Sequence, residues 1–177
     1  MENGTQDHSH REQSMKLKDK VALITGGGQG IGEGAALSFA SEGATVVIVD
    51  IDAAKAATVA AKINDAGGGA MAIEADLYES ANSQRMVDET LRAYGAVHIL
   101  LASAGIFKAS PIEETTEELW DRHLDLDLRA VFVKIKAVPP AMKRQRNGGS
   151  SRPARSRASS ASSTRRPTAR PRAASST

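Results

Sequence analysis

The chain has no cysteine and few aromatic side chains, with three Phe, two Tyr and one Trp in 177 residues. The absence of cysteine excludes disulfides, thiolate metal sites and a cysteine nucleophile. No run approaches the roughly 18 apolar residues that a membrane-spanning helix needs, and residues 1–16 hold no apolar segment typical of signal peptides. We therefore expect a cytoplasmic protein with no membrane partner and a disordered leader over residues 1–16.

The last part of the chain, residues 150–177, lacks acidic side chains and any apolar side chain larger than proline. It contains seven Arg, so residues 1–149 hold 16 of the 23 basic side chains against all 21 acidic ones. The body of the chain is therefore acidic, although the whole carries a formal charge of +2. A segment without large apolar side chains cannot build a core, and we expect this tail to be disordered.

Between these ends, short apolar runs alternate with longer helical patterns, which is typical of strand–helix–strand units and a parallel sheet. Residues 17–149 are therefore expected to form one α/β domain. The apolar runs predict four strands, at residues 20–25, 45–50, 70–75 and 97–103. The longer patterns predict helices at residues 32–43, 53–67 and 79–95.

A further helical pattern begins at Thr115 and is long enough to reach Pro139 and Pro140. Thr115 and Glu118 have the spacing of a capping box, in which a hydroxyl and a carboxylate bind the first free amides of a helix. We therefore expect the helix to begin at Thr115. Proline has no amide hydrogen to donate, so the two prolines are expected to kink or interrupt it.

The sequence TGGGQGIG, residues 25–32, lies between the first predicted strand and the first predicted helix. A glycine-rich turn at this place lets backbone amides approach a pyrophosphate, which the positive end of the helix also attracts. Asp50 ends the second strand, where an acid binds the ribose hydroxyls of a dinucleotide and repels the additional phosphate of NADP. The pattern therefore predicts a nucleotide site that prefers NAD. The alternative is a plain tight turn, but the order of strand, loop, helix, strand and acid argues against it.

Several motifs together resemble the short-chain dehydrogenase/reductase family over residues 17–149. TGGGQGIG resembles the family's TGxxxGIG fingerprint, and Asp76 with Leu77 resembles its adenine-contacting pair after the third strand. ASAG, residues 102–105, resembles the NNAG segment after the fourth strand. WDRHLDLDLRAVF, residues 120–132, resembles the long helix of the family.

The resemblance implies an incomplete Rossmann-type, doubly wound parallel sheet with about four strands in the order 3-2-1-4. It also implies an oxidoreductase that transfers hydride between NAD(P) and a small alcohol or carbonyl compound, with homo-oligomers expected for the intact form only. The residues that it assigns to the cofactor are Gly26, Gln29, Gly30, Ile31, Gly32, Asp50, Asp76, Leu77, Ser103, Ala104 and Gly105.

The chain departs from the family pattern at the residues that carry chemistry. Asp127 stands where the family has a catalytic Asn, and an ionised acid there would change the charge of the proton relay. The family also uses a Tyr followed four residues later by a Lys. Tyr78 and Tyr94 are instead followed at that spacing by Asn82 and His98. We therefore expect no catalytic residue and no metal site in the chain as written, which would be a truncated and inactive piece.

The tail begins where the family's fifth strand is expected, and its composition fits a shifted reading frame. Loss of one base in the codon of Gly149 would make the codons of Arg155 to Ala158 overlap codons that permit Ser-Ile-Ala-Gly or Ser-Val-Ala-Gly. The codons of Thr168 and Arg172 would likewise overlap codons for Tyr and Lys. The shifted frame thus permits a Ser, a Tyr and a Lys in the order that the family uses for catalysis, and we predict a frameshift after Gly149.

The sequence is also compatible with two other functions. A non-catalytic NAD-binding module would need only the phosphate loop, Asp50 and Asp76. A nucleic-acid-binding protein would use the seven Arg of the tail for salt-dependent contacts with phosphates. The tail has no aromatic side chains for base stacking, and the acidic body would oppose such binding, so we do not expect a nucleic-acid partner.

Overall fold

The structure, a computed structural model, describes residues 15–147. The expected tail and all but the last two residues of the expected leader lie outside the described residues. Within residues 15–147, no helix combines the length and the apolar character that crossing a membrane requires.

Four parallel strands form one sheet in the order β3-β2-β1-β4, which confirms the predicted architecture. The central strands consist of consecutive apolar residues because helices cover both faces of a parallel sheet. Each predicted strand is present, with bounds that differ by at most two residues. The strands are β1 Val21–Thr25, β2 Thr45–Asp50, β3 Gly69–Glu74 and β4 Ile99–Ala102.

The sheet separates two apolar cores, as alternate side chains along each strand point to opposite faces. Leu23 and Val47 belong to the core that contains Met86, whereas Ile24 and Ile48 belong to the core that contains Val59 and Ile63. Three helices follow the first three strands, and their positions agree with the sequence prediction. They are α1 Gly30–Ser41, α2 Ala53–Asp65 and α3 Ser80–Tyr94.

The predicted long helix is divided into several pieces. A short 3-10 turn comes before it, and the helix itself consists of α4, a π-helical segment, α5 and α6. The bounds are Ile112–Glu114 for the 3-10 turn, Glu117–His123 for α4, Leu124–Arg129 for the π-helical segment, Ala130–Ala137 for α5 and Pro139–Asn147 for α6. The expected interruption at the prolines is confirmed, because α5 ends before Pro139 and α6 begins with it.

The predicted helix start was wrong by one residue. Thr116, and not Thr115, caps α4, and its Oγ1 accepts a hydrogen bond from the Leu119 amide at 3.2 Å. Thr115 instead ends the preceding 3-10 turn and donates its hydroxyl to the carbonyl oxygen of Pro111 at 2.9 Å. Two adjacent threonines offer two cap positions, and the preceding turn selects the second.

His98 joins the start of β1 to the start of β4. The Val21 amide donates to Nδ1 of His98 at 2.9 Å, and the His98 amide donates to the carbonyl oxygen of Val21, also at 2.9 Å. An Nδ1 atom that accepts a hydrogen bond carries no proton. This contact therefore requires the neutral imidazole, with its single ring proton on Nε2. Burial and the nearby charge of Lys20 both lower the pKa of His98 from its usual value of 6.5.

We expect the free energy of unfolding to fall as the pH decreases below about 6.5, in part through His98. The folded state binds a proton at His98 less readily than the unfolded state, so this contribution is complete above pH 6.5 and is lost as the pH falls through the folded pKa. Urea unfolding at pH 7.5 and 5.5 measures it. The His98→Gln variant should show a smaller loss between these values, and an equal loss in both proteins would contradict the role of His98.

Candidate functional site

A cavity of about 930 Å³ lies at the edge of the sheet where the carboxyl ends of the four strands meet. The loops after β1, β2, β3 and β4 form its floor and sides, and α4 with the π-helical segment forms the opposite wall. Every residue that the sequence assigned to the cofactor lines this cavity. The fold therefore brings these residues together, and their binding of a cofactor stays a prediction.

The glycine loop packs closely against its neighbours because two of its residues have no side chain. Gly26 has a φ of +66°, and a Cβ there would lie 2.7 Å from the Cα of Ala104. A Cβ on Gly32 would collide with the carbonyl oxygen of Gly26. Only glycine permits this close approach of α1 to the loop, which brings the first turn of the helix to the end of β1.

The amino-terminal end of α1 has no side-chain cap. Its N-cap residue is Gln29. The Oε1 atom of Gln29 accepts a hydrogen bond from Nζ of Lys55 at 2.9 Å and does not bind an amide of α1. By contrast, Asp52 caps α2 with a hydrogen bond from the Lys55 amide at 3.0 Å. The first amides of α1 therefore remain available to an anion, and the positive end of the helix dipole favours one there.

Asp50 is held in place by backbone amides on both sides. Its Oδ2 accepts from the Gly28 amide at 2.9 Å, and its Oδ1 accepts from the Asp52 amide at 3.0 Å. Each carboxylate oxygen can accept a further hydrogen bond, so the group remains able to bind hydroxyls in the cavity. The carboxylate is thus fixed beside the glycine loop before any ligand arrives.

Asp76 and Leu77 contribute in different ways. Leu77 is buried with only 5% of its surface exposed, and its side chain belongs to the core beneath the sheet. Its backbone is therefore the part that can face a ligand. Asp76 is exposed at the cavity, and its Oδ1 accepts from the Tyr78 amide at 3.0 Å, which fixes the turn after β3.

The loop after β4 is tied to β1 through Thr25. The fully buried Thr25 hydroxyl accepts from the Ala104 amide at 3.3 Å and lies 3.5 Å from the carbonyl oxygen of Leu101. These contacts hold Ser103 and Ala104 against the glycine loop.

Two charged side chains hold the same loop from the helical side. Asp127 accepts from the Ile106 amide through Oδ1 at 3.0 Å, and Lys134 donates from Nζ to the carbonyl oxygen of Ala104 at 3.4 Å. Lys134 is completely buried, and this burial lowers the pKa of its ammonium group, while the charge of Asp127 opposes that shift. Asp127 therefore has a cation, Lys134, in the same helical region.

Neither tyrosine has the electrostatic environment of a catalytic base. The hydrogen bond from the Tyr78 hydroxyl to Asp125 raises the pKa of Tyr78, and burial raises the pKa of Tyr94. A tyrosine that exchanges a proton with substrate near neutral pH needs the opposite shift.

The sequence prediction missed part of the cavity wall. The additional lining residues are Ile51, Ala75, Tyr78, Ile106, Glu118, Asp121, Arg122 and Leu126. Those in or beside α4 could not be identified locally, because they reach the cavity only through the path of the chain after β4. Among these residues, Tyr78 could have been identified from the sequence, since it directly follows Asp76 and Leu77.

Comparison with known proteins places these features in one family. A family model described as short chain dehydrogenase matches residues 20–150. Galactitol 2-dehydrogenase of Agrobacterium fabrum is 42% identical over 135 residues, which are 76% of this chain and 52% of that protein. Cyclohexanol dehydrogenase of an Acinetobacter species is 38% identical over 130 residues, which are 73% of this chain and 52% of that protein. The chain thus spans about half the length of the relatives that it matches.

Solved structures show the same similarity. A 3-ketoacyl-(acyl-carrier-protein) reductase from Brucella melitensis, complexed with NADH, has a TM-score of 0.68 and 42% identity. The match covers 73% of this chain and 52% of that one. A metagenomic short-chain oxidoreductase in complex with NADP has a TM-score of 0.67 and 31% identity, over 71% of this chain and 57% of that one.

We expect Asp127 and Lys134 to be energetically coupled. Asp127→Asn keeps an oxygen that can accept from the Ile106 amide but removes the charge. It should therefore lower the free energy of unfolding more in the chain that retains Lys134 than in the Lys134→Met variant. The expected difference is about 0.5 kcal/mol, at the low end for coupled neighbours because Asp127 is exposed to solvent. Urea unfolding of the two single variants and the double variant measures this coupling.

Lys136→Met provides the matched control, since Lys136 lies on the same helix but is exposed. Its combination with Asp127→Asn should be additive. Additive effects for Lys134→Met as well would show that the buried ammonium does not respond to the acid.

Proposed function

The chain belongs to the short-chain dehydrogenase family, and from this premise we propose that residues 20–147 form the NAD-binding half of an oxidoreductase. The family supports hydride transfer between a nicotinamide dinucleotide and a small molecule. We propose an alcohol or carbonyl compound as the substrate of the whole enzyme. One observation carries the proposal: the cavity joins an uncapped helix amino terminus, a fixed carboxylate and the loops after all four strands.

Each part of the cavity suits one part of the dinucleotide. The first amides of α1 would bind the pyrophosphate, and Asp50 would accept hydrogen bonds from the adenosine ribose. Asp76 and the backbone of Leu77 would bind adenine, which leaves the segment 103–106 for the nicotinamide side. When bound, the nicotinamide supplies the position that accepts or donates hydride. The role of the protein in this half is to bind and orient it.

We propose NAD as the preferred cofactor. The carboxylate of Asp50 would bind the two hydroxyls of a ribose but would repel a phosphate on one of them. The nearby cation, Lys55, already contacts Gln29 at 2.9 Å and Asp52 at 3.4 Å. Related structures contain either NADH or NADP, so the preference rests on Asp50 in this chain.

We further propose that the chain as written binds the dinucleotide without catalysing turnover. Its two tyrosines lack a Lys at the spacing that the family's chemistry uses. Asp127 occupies the position of the catalytic Asn, but its carboxylate oxygen binds the Ile106 amide. These features support a binding role for the described half.

Calorimetric titration with NAD and NADP tests the binding function. NAD should bind at least about tenfold more tightly, which corresponds to about 1.4 kcal/mol. Asp50→Asn should remove most of this preference by removing the repulsion between carboxylate and phosphate. Asp65→Asn, which neutralises an exposed acid at the end of α2 away from the cavity, should leave the preference unchanged. A folded chain that binds neither dinucleotide at millimolar concentration would refute the proposal.

The coding DNA around Gly149 tests the proposed loss of the catalytic half. Restoring one base there should give a reading frame that encodes Ser, Tyr and Lys in the family's order. The present 177-residue chain should reduce no NAD with any alcohol of a broad panel. An intact frame in related genes that share the same tail would contradict the frameshift. Turnover by the present chain would contradict its inactivity.

A further inference from the structure

Tyr78 is an aromatic side chain in the cavity wall that the family motifs do not assign. It directly follows Asp76 and Leu77 and lines the same cavity. Its surface is 46% exposed, so much of the ring is free to contact a ligand. Asn82, and not a Lys, stands four residues later, so Tyr78 lacks the spacing of the family's Tyr and Lys pair.

A hydrogen bond holds this ring between two walls of the cavity. The Tyr78 hydroxyl donates to Oδ2 of Asp125 at 3.0 Å, across 47 positions of the sequence. Asp125 lies in the π-helical segment, and its other oxygen, Oδ1, is 3.4 Å from Nη1 of Arg129. The acceptor is therefore positioned from its own helix, and the phenol links the turn after β3 to that helix.

The backbone of the turn does not depend on the phenol. Oδ1 of Asp76 accepts from the Tyr78 amide at 3.0 Å, and the side-chain amide of Asn82 donates to the carbonyl oxygen of Asp76 at 2.8 Å. The first bond uses only the main chain of Tyr78, and the second does not involve Tyr78. Removing its ring should therefore leave the turn in place, which makes the contribution of the ring to binding measurable.

We infer that Tyr78 forms a wall of the adenine subsite and that its hydrogen bond to Asp125 holds the ring in position. Aromatic side chains stabilise a bound base through its flat face whatever the base's hydrogen-bonding pattern. A ring that is already held loses little conformational freedom on binding. Tyr78 would thus increase affinity for the adenine half, while Asp50 selects between NAD and NADP. This inference rests on the proposed nucleotide-binding function.

Titration of the full chain with AMP tests the inference. Tyr78→Ala should weaken AMP binding at least about fivefold, the lower range for loss of one aromatic contact with a base. Tyr78→Phe keeps the ring but not its anchor and should weaken binding less. Asp125→Ala should match Tyr78→Phe, and the double variant should be no weaker than either, because both changes break the same hydrogen bond.

Phe132→Ala is the matched control, since Phe132 is 63% exposed and lies on α5 outside the cavity wall. It should leave AMP affinity unchanged, and circular dichroism should show that each variant is folded. If Tyr78→Ala does not fold, weaker binding by Tyr78→Phe and Asp125→Ala supports the inference, and unchanged binding by both overturns it. Unchanged binding by a folded Tyr78→Ala overturns the inference alone. An unaltered chain that binds NAD but not AMP also overturns the inference alone, whereas one that binds neither overturns the proposed function as well.

Discussion

The close approach of α1 to the glycine loop is the constraint on which the candidate site depends. Gly32 packs against the carbonyl oxygen of Gly26, and Gly26 packs against the backbone of Ala104, both without room for a Cβ. This packing places the uncapped first turn of α1 at the centre of the sheet edge. It also brings the Gly28 amide to Asp50, so the loop that would bind phosphate also orients the acid that would bind ribose.

The charges around the cavity follow from the same arrangement. The loop itself is neutral and offers amides, while the adjoining strand ends supply Asp50 and Asp76. Farther along, the loop after β4 is held by an anion at one amide and a cation at one carbonyl, through Asp127 and Lys134. Each charged side chain thus contacts a backbone group of opposite partial charge. Side chains from three elements, Thr25 of β1, Asp127 of the π-helical segment and Lys134 of α5, hold the loop after β4 and so maintain the shape of the cavity.

The sequence predicts the features that depend on neighbouring residues. Apolar runs locate all four strands, and the glycine pattern with Asp50 locates the loops that line the cavity. The sequence prediction placed the cap of α4 at Thr115 instead of Thr116, because the choice depends on the turn that precedes the helix. The bond between Tyr78 and Asp125 joins positions 47 residues apart, and no local pattern indicates such a contact. The π-helical segment was missed because its alternating Leu and Asp residues do not reveal a wider helical turn.

We propose that the edge of this half-sheet binds a dinucleotide through the backbone amides of the glycine loop and the turn after β3. Nuclear magnetic resonance of the nitrogen-15-labelled chain during NAD titration measures this directly, amide by amide. The largest shifts should occur at Gly30, Ile31, Gly32 and Leu77, with smaller ones at Ser103 and Gly105. A well-dispersed spectrum in which these amides do not move, or in which NAD shifts only amides remote from the cavity, would contradict the claim.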